Sequence, residues 1–341
     1  MQKKTVLVTG GTGYLGAWVV KRLLERNYNV RLVVRSLLAA KKFVFFRTIA
    51  QQSSSQLELF QADLLQPGSF DDAAKGSDAI IHMAAPNTSR FTDIKKEILQ
   101  PIIMGTKNVL LAANRSNTIK KVVLTSSASA IYGDRADRLD RGIGEFTEAY
   151  FNHTSTPKHK PYAFAKVEAE ELAWEMYKRQ SQWKLTILNP ALMLGPNFSQ
   201  TSNSESLSFF KQLIQGKFSP QTPALEFAVA DVRDIAIAQV NALNEGVSDS
   251  RFILFNEIMS LLQMGTLIEQ LYPQKFNLPK KEIRKLFKHT IPKKFGYTQK
   301  YVERNIGFPL CLSNRKSRHQ LGLKYRPIAT TFKDMISSLK L

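Results

Sequence analysis

Apolar and polar positions follow two periods along this chain. Short apolar runs rich in β-branched residues recur as TVLVTG (5–10), NVRLVVR (29–35), QLELFQAD (56–63), DAIIHMAAP (78–86), KKVVLTSS (120–127) and KLTILNPALMLGP (184–196). Such runs, ending near Gly, Pro or Ser, predict strands. The segments between them are long enough for helices, and the first carries Leu15, Val19 and Leu23 four apart, the stripe of a helix resting on a sheet. Strands alternating with helices predict right-handed β-α-β crossovers and a parallel sheet covered on both faces. The expected fold class is therefore α/β, a doubly wound parallel sheet of about seven strands. ALEFAVA (224–230), ahead of the helical DVRDIAIAQVNAL (231–243), is the candidate seventh.

Beyond residue 196 the pattern loosens and is broken by Pro220, Pro223, Pro273, Pro279, Pro292 and Pro309. This predicts a first domain over 1–195 and a smaller C-terminal substrate lobe over 196–341, interleaved with the end of the sheet because 228–245 returns to the first domain. LPKKEIRKLFKHTIPKK (278–294) is amphipathic: on a short helix Ile283, Leu286 and Phe287 share one face and basic residues ring the other.

A chain of 341 residues with 43% apolar content builds a sizeable core and falls outside the disordered class. No stretch approaches the roughly 18 apolar residues of a membrane span. The first apolar run follows the opening four residues directly, so no secretory leader is expected. The lone Cys311 allows no internal disulfide and fits a reducing, cytoplasmic location. The net charge of +20 is concentrated in 271–341, which holds 17 Lys and Arg against 3 Asp and Glu. Such a block attracts polyanions. Apolar Ile283, Leu286, Phe287, Leu321 and Leu323 recur between the charges, however, and no recognisable nucleic-acid module accompanies them. A solvated basic surface is expected, with no specific nucleic-acid partner; peripheral contact with an anionic membrane surface is the alternative. The histidines are scattered without metal-ligand spacing, so no metal is expected.

VLVTGGTGYLG (6–16) opens the chemistry. Gly11, Gly13 and Gly16 fit G-x-G-x-x-G, whereas Gly10, Gly13 and Gly16 fit G-x-x-G-x-x-G. In either register a strand, a glycine turn and a helix bring backbone N–H groups and the positive helix end against a diphosphate. The second strand ends VVRS, with Arg35 where an NAD-selecting protein carries an acid and with Lys41 and Lys42 soon after. A guanidinium suits a 2′-phosphate, so NADP is expected ahead of NAD. Later, TSSASAIYG (125–133) ends the fifth strand and PYAFAK (161–166) opens a helix. Tyr162 and Lys166, four apart, project from one helix face. A phenol titrates near 10, and a nearby ammonium lowers that value by stabilising the phenolate. Serines at the end of a parallel strand lie where such folds place ligands. At His82 a structural histidine is expected in preference to a proton relay.

Together these motifs resemble the extended short-chain dehydrogenase/reductase superfamily, in its dihydroflavonol-reductase-like branch, a Rossmann protein of the NAD-dependent epimerase/dehydratase type. The resemblance spans nearly the whole chain and includes GTKNVLLAA (105–113), NPALMLGP (189–196) and the closing SNRKSRHQLGLKYRPIATTFKDMI (313–336). It selects Gly10, Gly13 and Gly16 and makes Gly11 incidental. It implies a Rossmann domain binding NADP through Gly10, Gly13, Tyr14, Leu15, Gly16, Arg35, Asp63, Leu64, Ala84, Lys166 and Pro190. It implies Tyr162 as proton donor, Lys166 lowering its pKa, and Ser127 orienting the substrate oxygen, with Ser126 as second choice. Two positions depart from the pattern: Ala165 stands where serine is frequent, and Tyr132 within IYGD is closer to the sugar-nucleotide epimerases. The expected activity is NADP-dependent reduction of a ketone or aldehyde to an alcohol by a monomer or homodimer. The alternatives are an NAD-retaining sugar-nucleotide epimerase or dehydratase, and a non-catalytic NADP-binding sensor or scaffold.

Overall fold

The six apolar runs become β1 (Thr5–Thr9), β2 (Asn29–Val34), β3 (Leu57–Gln61), β4 (Ala79–His82), β5 (Lys121–Thr125) and β6 (Lys184–Pro190) of one parallel sheet. Further strands are β7 (Leu192–Leu194), β8 (Gln221–Pro223), β9 (Glu226–Asp231), β10 (Ser250–Leu254), β11 (Glu257–Ser260) and β12 (Lys281–Ile283). The helices are α1 (Tyr14–Glu25), α2 (Val44–Gln52), α3 (Asp71–Ala74), α4 (Gln100–Arg115), α5 (Asp137–Asp140), α6 (Pro161–Lys178), α7 (Glu205–Ile214), α8 (Val232–Asn241) and α9 (Leu261–Leu271), followed by Gln299–Asn305, Arg315–Gln320 and Ile328–Ser338. This computed structural model describes residues 3–38, 44–86, 91–198, 204–283 and 295–339.

The main sheet runs β10–β6–β5–β4–β1–β2–β3. Its order reverses beside β1, which opens a crevice at the carboxyl ends of β1 and β4. Strand alternation sends successive side chains to opposite faces. Val6 and Val8 join a core with Leu15, Val19 and Leu23 of α1 and Ile235 of α8, while Leu7 joins another with Val109 of α4 and Ala173 of α6. Helices cover both faces, as the alternation of strands and helices requires.

The seventh strand is not 224–230. Pro190 ends β6, and the chain re-enters as β7, which leaves the main sheet and pairs in parallel with β9. The 224–230 run is thereby drawn into a second sheet, β11–β9–β7, and the free edge of β6 is taken by β10, in register from Ser250↔Thr186 to Leu254↔Pro190. Ile283 is also not helical: it ends β12, which pairs with β8. Leu286, Phe287 and the rest of 284–294 lie outside the described residues, as do Lys41 and Lys42. Leu321 and Leu323 are buried, and Ile328–Ser338 inserts Phe332 and Met335 into the same core as α1. Among the described residues no helix is long and apolar enough to cross a membrane.

Candidate active site

After β1 the backbone turns at Gly10, whose φ of +70° belongs to the left-handed region that favours glycine. The N–H of Gly13 closes the turn onto the Gly10 carbonyl at 3.0 Å. A Cβ on Gly16 would lie 2.0 Å from the Gly10 oxygen, and one on Gly10 2.8 Å from the Ala84 nitrogen. Gly11, outside that set, has a packing role: its Cβ would lie 2.4 Å from Leu32 Cδ1 and 2.8 Å from Val20 Cγ2, so it lets α1 close onto β2. Gly13 differs. Its φ is ordinary, and a Cβ there would meet the Gly10 oxygen at 3.2 Å with no other described atom within 4 Å. The protein's own packing asks little of this glycine, whereas a diphosphate lying against the turn would need the space. α1 begins there without a capping side chain and with no acid in its first turn, leaving N–H groups for an anion.

Tyr14 and Leu15 are buried in α1, and the Tyr14 hydroxyl donates to the Gly195 carbonyl at 2.6 Å. Arg35 is exposed just past β2 and has no partner among the described residues. Past β3, the Asp63 carboxylate accepts from the Leu65 N–H at 2.8 Å, and Leu64 packs against Gly105. Ala84 lies against Gly10, with its N–H on Thr9 Oγ1 at 3.2 Å. The backbone at these positions flanks the crevice at the strand ends.

At the end of β5 the two serines diverge. Ser126 is buried with no partner for its hydroxyl among the described residues, whereas Ser127 is half-buried and accepts from the Ser129 hydroxyl at 2.8 Å. α6 starts at Pro161, which has no N–H to leave orphaned, and its first turns carry Tyr162 and Lys166. Burial pushes the Tyr162 phenol up to about 12, and a hydrogen bond with the Ser127 side chain opposes this. The Lys166 ammonium donates to the Thr125 carbonyl at 2.9 Å and lies 5.8 Å from the centre of the Tyr162 ring. Burial brings Lys166 down to about 8, against the pull of Glu170. Burial is thus the larger influence on Tyr162, and Ser127 is the group acting against it. Tyr162 is consequently protonated at neutral pH, the state an acid requires. His82 closes the floor, with Nδ1 2.7 Å from Thr9 Oγ1 and Nε2 3.5 Å from Thr106 Oγ1. Burial, and then Lys166, lower it to about 3, so it is a neutral, doubly partnered histidine. Pro190 is buried at the end of β6.

Residues 6–253 match the NAD dependent epimerase/dehydratase family. The chain belongs to that family. It is 30% identical over 338 residues to cinnamoyl-CoA reductase CAD2 of Medicago truncatula, covering 98% of this chain and 95% of that protein. It is 27% identical over 278 residues to dihydroflavonol 4-reductase of Arabidopsis thaliana, covering 82% of this chain and 72% of that protein. The solved structure of Candida albicans Gre2 in complex with NADPH superimposes with a TM-score of 0.80 at 28% identity over 98% of each chain. These relatives place this epimerase/dehydratase chain in the dihydroflavonol-reductase-like branch.

Within this family member, sequence reasoning passed over the polar residues behind the site. Asn189, next to Pro190, donates to the Ser127 carbonyl at 3.1 Å, and Glu170, one turn beyond Lys166, is fully buried. A charged residue on the inner face of α6 was the available signal, but its partners lie on other strands.

Proposed function

We propose that the chain is an NADP-dependent reductase converting a ketone or aldehyde to an alcohol. The observation that carries this reading is the meeting of Ser127, Tyr162 and Lys166 at the carboxyl end of β5, where the phenol is protonated at neutral pH. When bound, the reduced nicotinamide supplies a hydride to the carbonyl carbon. Tyr162 releases its proton to the carbonyl oxygen, Ser127 donates a hydrogen bond to that oxygen, and the Lys166 ammonium stabilises the phenolate left behind. The glycine turn fits a diphosphate through the space kept at Gly13, and the exposed Arg35 suits a 2′-phosphate. The NADPH held by the similar Gre2 supports the same choice. The test is a panel of aliphatic and aromatic ketones and aldehydes, read as loss of reduced-cofactor absorbance with NADPH and with NADH. Turnover with NADPH, reduced by on the order of a hundredfold or more in Tyr162→Phe with cofactor affinity kept, is expected. Purification with tightly held NAD and no carbonyl turnover would instead favour the epimerase or dehydratase reading.

A further inference from the structure

Three polar side chains lie behind the site and have no part in the steps above. Glu170 on α6 has no exposed surface. One of its carboxylate oxygens accepts from Asn189 Nδ2 at 2.9 Å, and the other is paired with Arg251 Nε of β10. The same Asn189 amide donates to the Ser127 carbonyl at 3.1 Å. Arg251 also donates to the carbonyls of Glu148 and Tyr150, at 2.9 and 2.7 Å, and its guanidinium carbon lies 3.8 Å from the centre of the Phe151 ring. One carboxylate is therefore linked to the loop that carries Ser127, shares a helix with Lys166, and is tied through Arg251 to the segment 148–151.

Stability alone is a weak reason for such a group, because a buried ion pair contributes little more than apolar residues of the same volume. Lys166 supplies a better one. Its ammonium is almost entirely removed from water, which disfavours the charged form, and its hydrogen bond goes to a neutral carbonyl. Glu170 lies four residues on, where helical side chains are neighbours. Among the described residues the titratable groups around Lys166 are Tyr162 and Glu170 on its own helix and His82 on β4, with Arg251 of β10 behind Glu170; β5 presents a carbonyl and β6 the uncharged Asn189. Tyr162 and His82 are neutral near pH 7, which leaves the carboxylate to act on the ammonium.

We propose that Glu170 is a positioning residue whose buried carboxylate, clamped by Arg251, keeps the Lys166 ammonium charged and holds the Ser127 loop through Asn189. The role rests on the reductase reading, but its test does not. Lysines labelled at Cε are titrated by NMR in the full chain, with the Lys166 signal identified by its loss in Lys166→Met. Glu170→Gln keeps an acceptor for Asn189 and removes the charge, so the Lys166 midpoint is expected to fall by about one pH unit or more. Glu170→Asp, which keeps the charge, should restore much of it. Because Glu170→Gln leaves Arg251 buried and unpaired, Glu170→Gln with Arg251→Met serves if the single variant fails to fold, and the fall is expected there too. An unchanged midpoint in either folded variant would overturn the proposal, whether or not a carbonyl substrate has been found. With a substrate in hand, the alkaline edge of kcat/KM should move down in step; an edge that stays in place while the midpoint falls would also overturn it.

Discussion

Lys160 and Asp134 form an ion pair, Nζ to Oδ1 2.7 Å, at the point where the chain enters the helix bearing Tyr162. Lys160 has a φ of +62°, a left-handed conformation that costs a residue with a Cβ roughly 1 kcal/mol or more. The pair holds it there, and Asp134 also accepts from Asn305 at 2.7 Å and from His159 at 2.9 Å. Asp134→Asn leaves the ammonium without its anion. We expect a loss of about 2 kcal/mol in urea unfolding, with a lower kcat because Tyr162 is two residues away. A variant matching wild type in both would show that this junction is held by other contacts.

Lys166→Met should stabilise the fold while abolishing turnover. The ordinary value of 10.5 falls to about 8 in the folded state. The folded chain therefore binds fewer protons than the unfolded chain between those values, and stability rises with pH across that window. At neutral pH the buried charge costs about 3 kcal/mol, offset by about 1 kcal/mol for the bond to Thr125. The urea midpoint of Lys166→Met should exceed that of wild type at pH 7, with the gap closing toward pH 10. Lys121 titrates in the same range, so the difference between the two proteins is the quantity to read.

His82 gives the opposite end of the pH profile. Lowered from 6.5 to about 3, it binds fewer protons folded than unfolded in that interval, so its contribution is present above pH 6.5 and is lost as the pH falls toward 3. His82→Gln should flatten this acid limb, at some cost near neutrality from altered bonds to Thr9 and Thr106. Parallel stability curves for the two proteins between pH 4 and 7 would rule His82 out as the source.

The glycine turn separates packing from binding. Gly16→Ala places a methyl group 2.0 Å from the Gly10 oxygen and should unfold the chain or lower its melting temperature sharply. Gly13→Ala asks for a shift of only a few tenths of an ångström. It should keep most of the stability and lose dinucleotide affinity, measured by fluorescence titration. Undiminished binding in a folded Gly13→Ala protein would remove the turn from the diphosphate site.

Arg35→Asp should weaken NADPH binding and narrow or reverse the preference over NADH. The wild-type preference should itself decline as salt is added, since Arg35 is exposed and its attraction is screened. Equal affinities for the two cofactors in the wild type would contradict the NADP assignment.

The sequence by itself determined the six strands β1–β6, the helices α1, α6 and α8, and which of their residues share a face, because these follow from local periods of two and of 3.6 residues. The β1–Gly turn–α1 unit and the pairing of Tyr162 with Lys166 on one helix face were legible for that reason. Only the tertiary structure decided that β10, and not 224–230, completes the sheet, since strand order depends on which edge stays free once Pro190 turns the chain into β7. It also decided that Gly11 packs against Leu32, that burial raises the Tyr162 phenol against the Ser127 hydrogen bond, and that Glu170 meets Arg251 from 81 positions away. No local period encodes such distances: buried polar groups find partners wherever the fold brings them, and solvent exclusion at each site is a property of the packed whole.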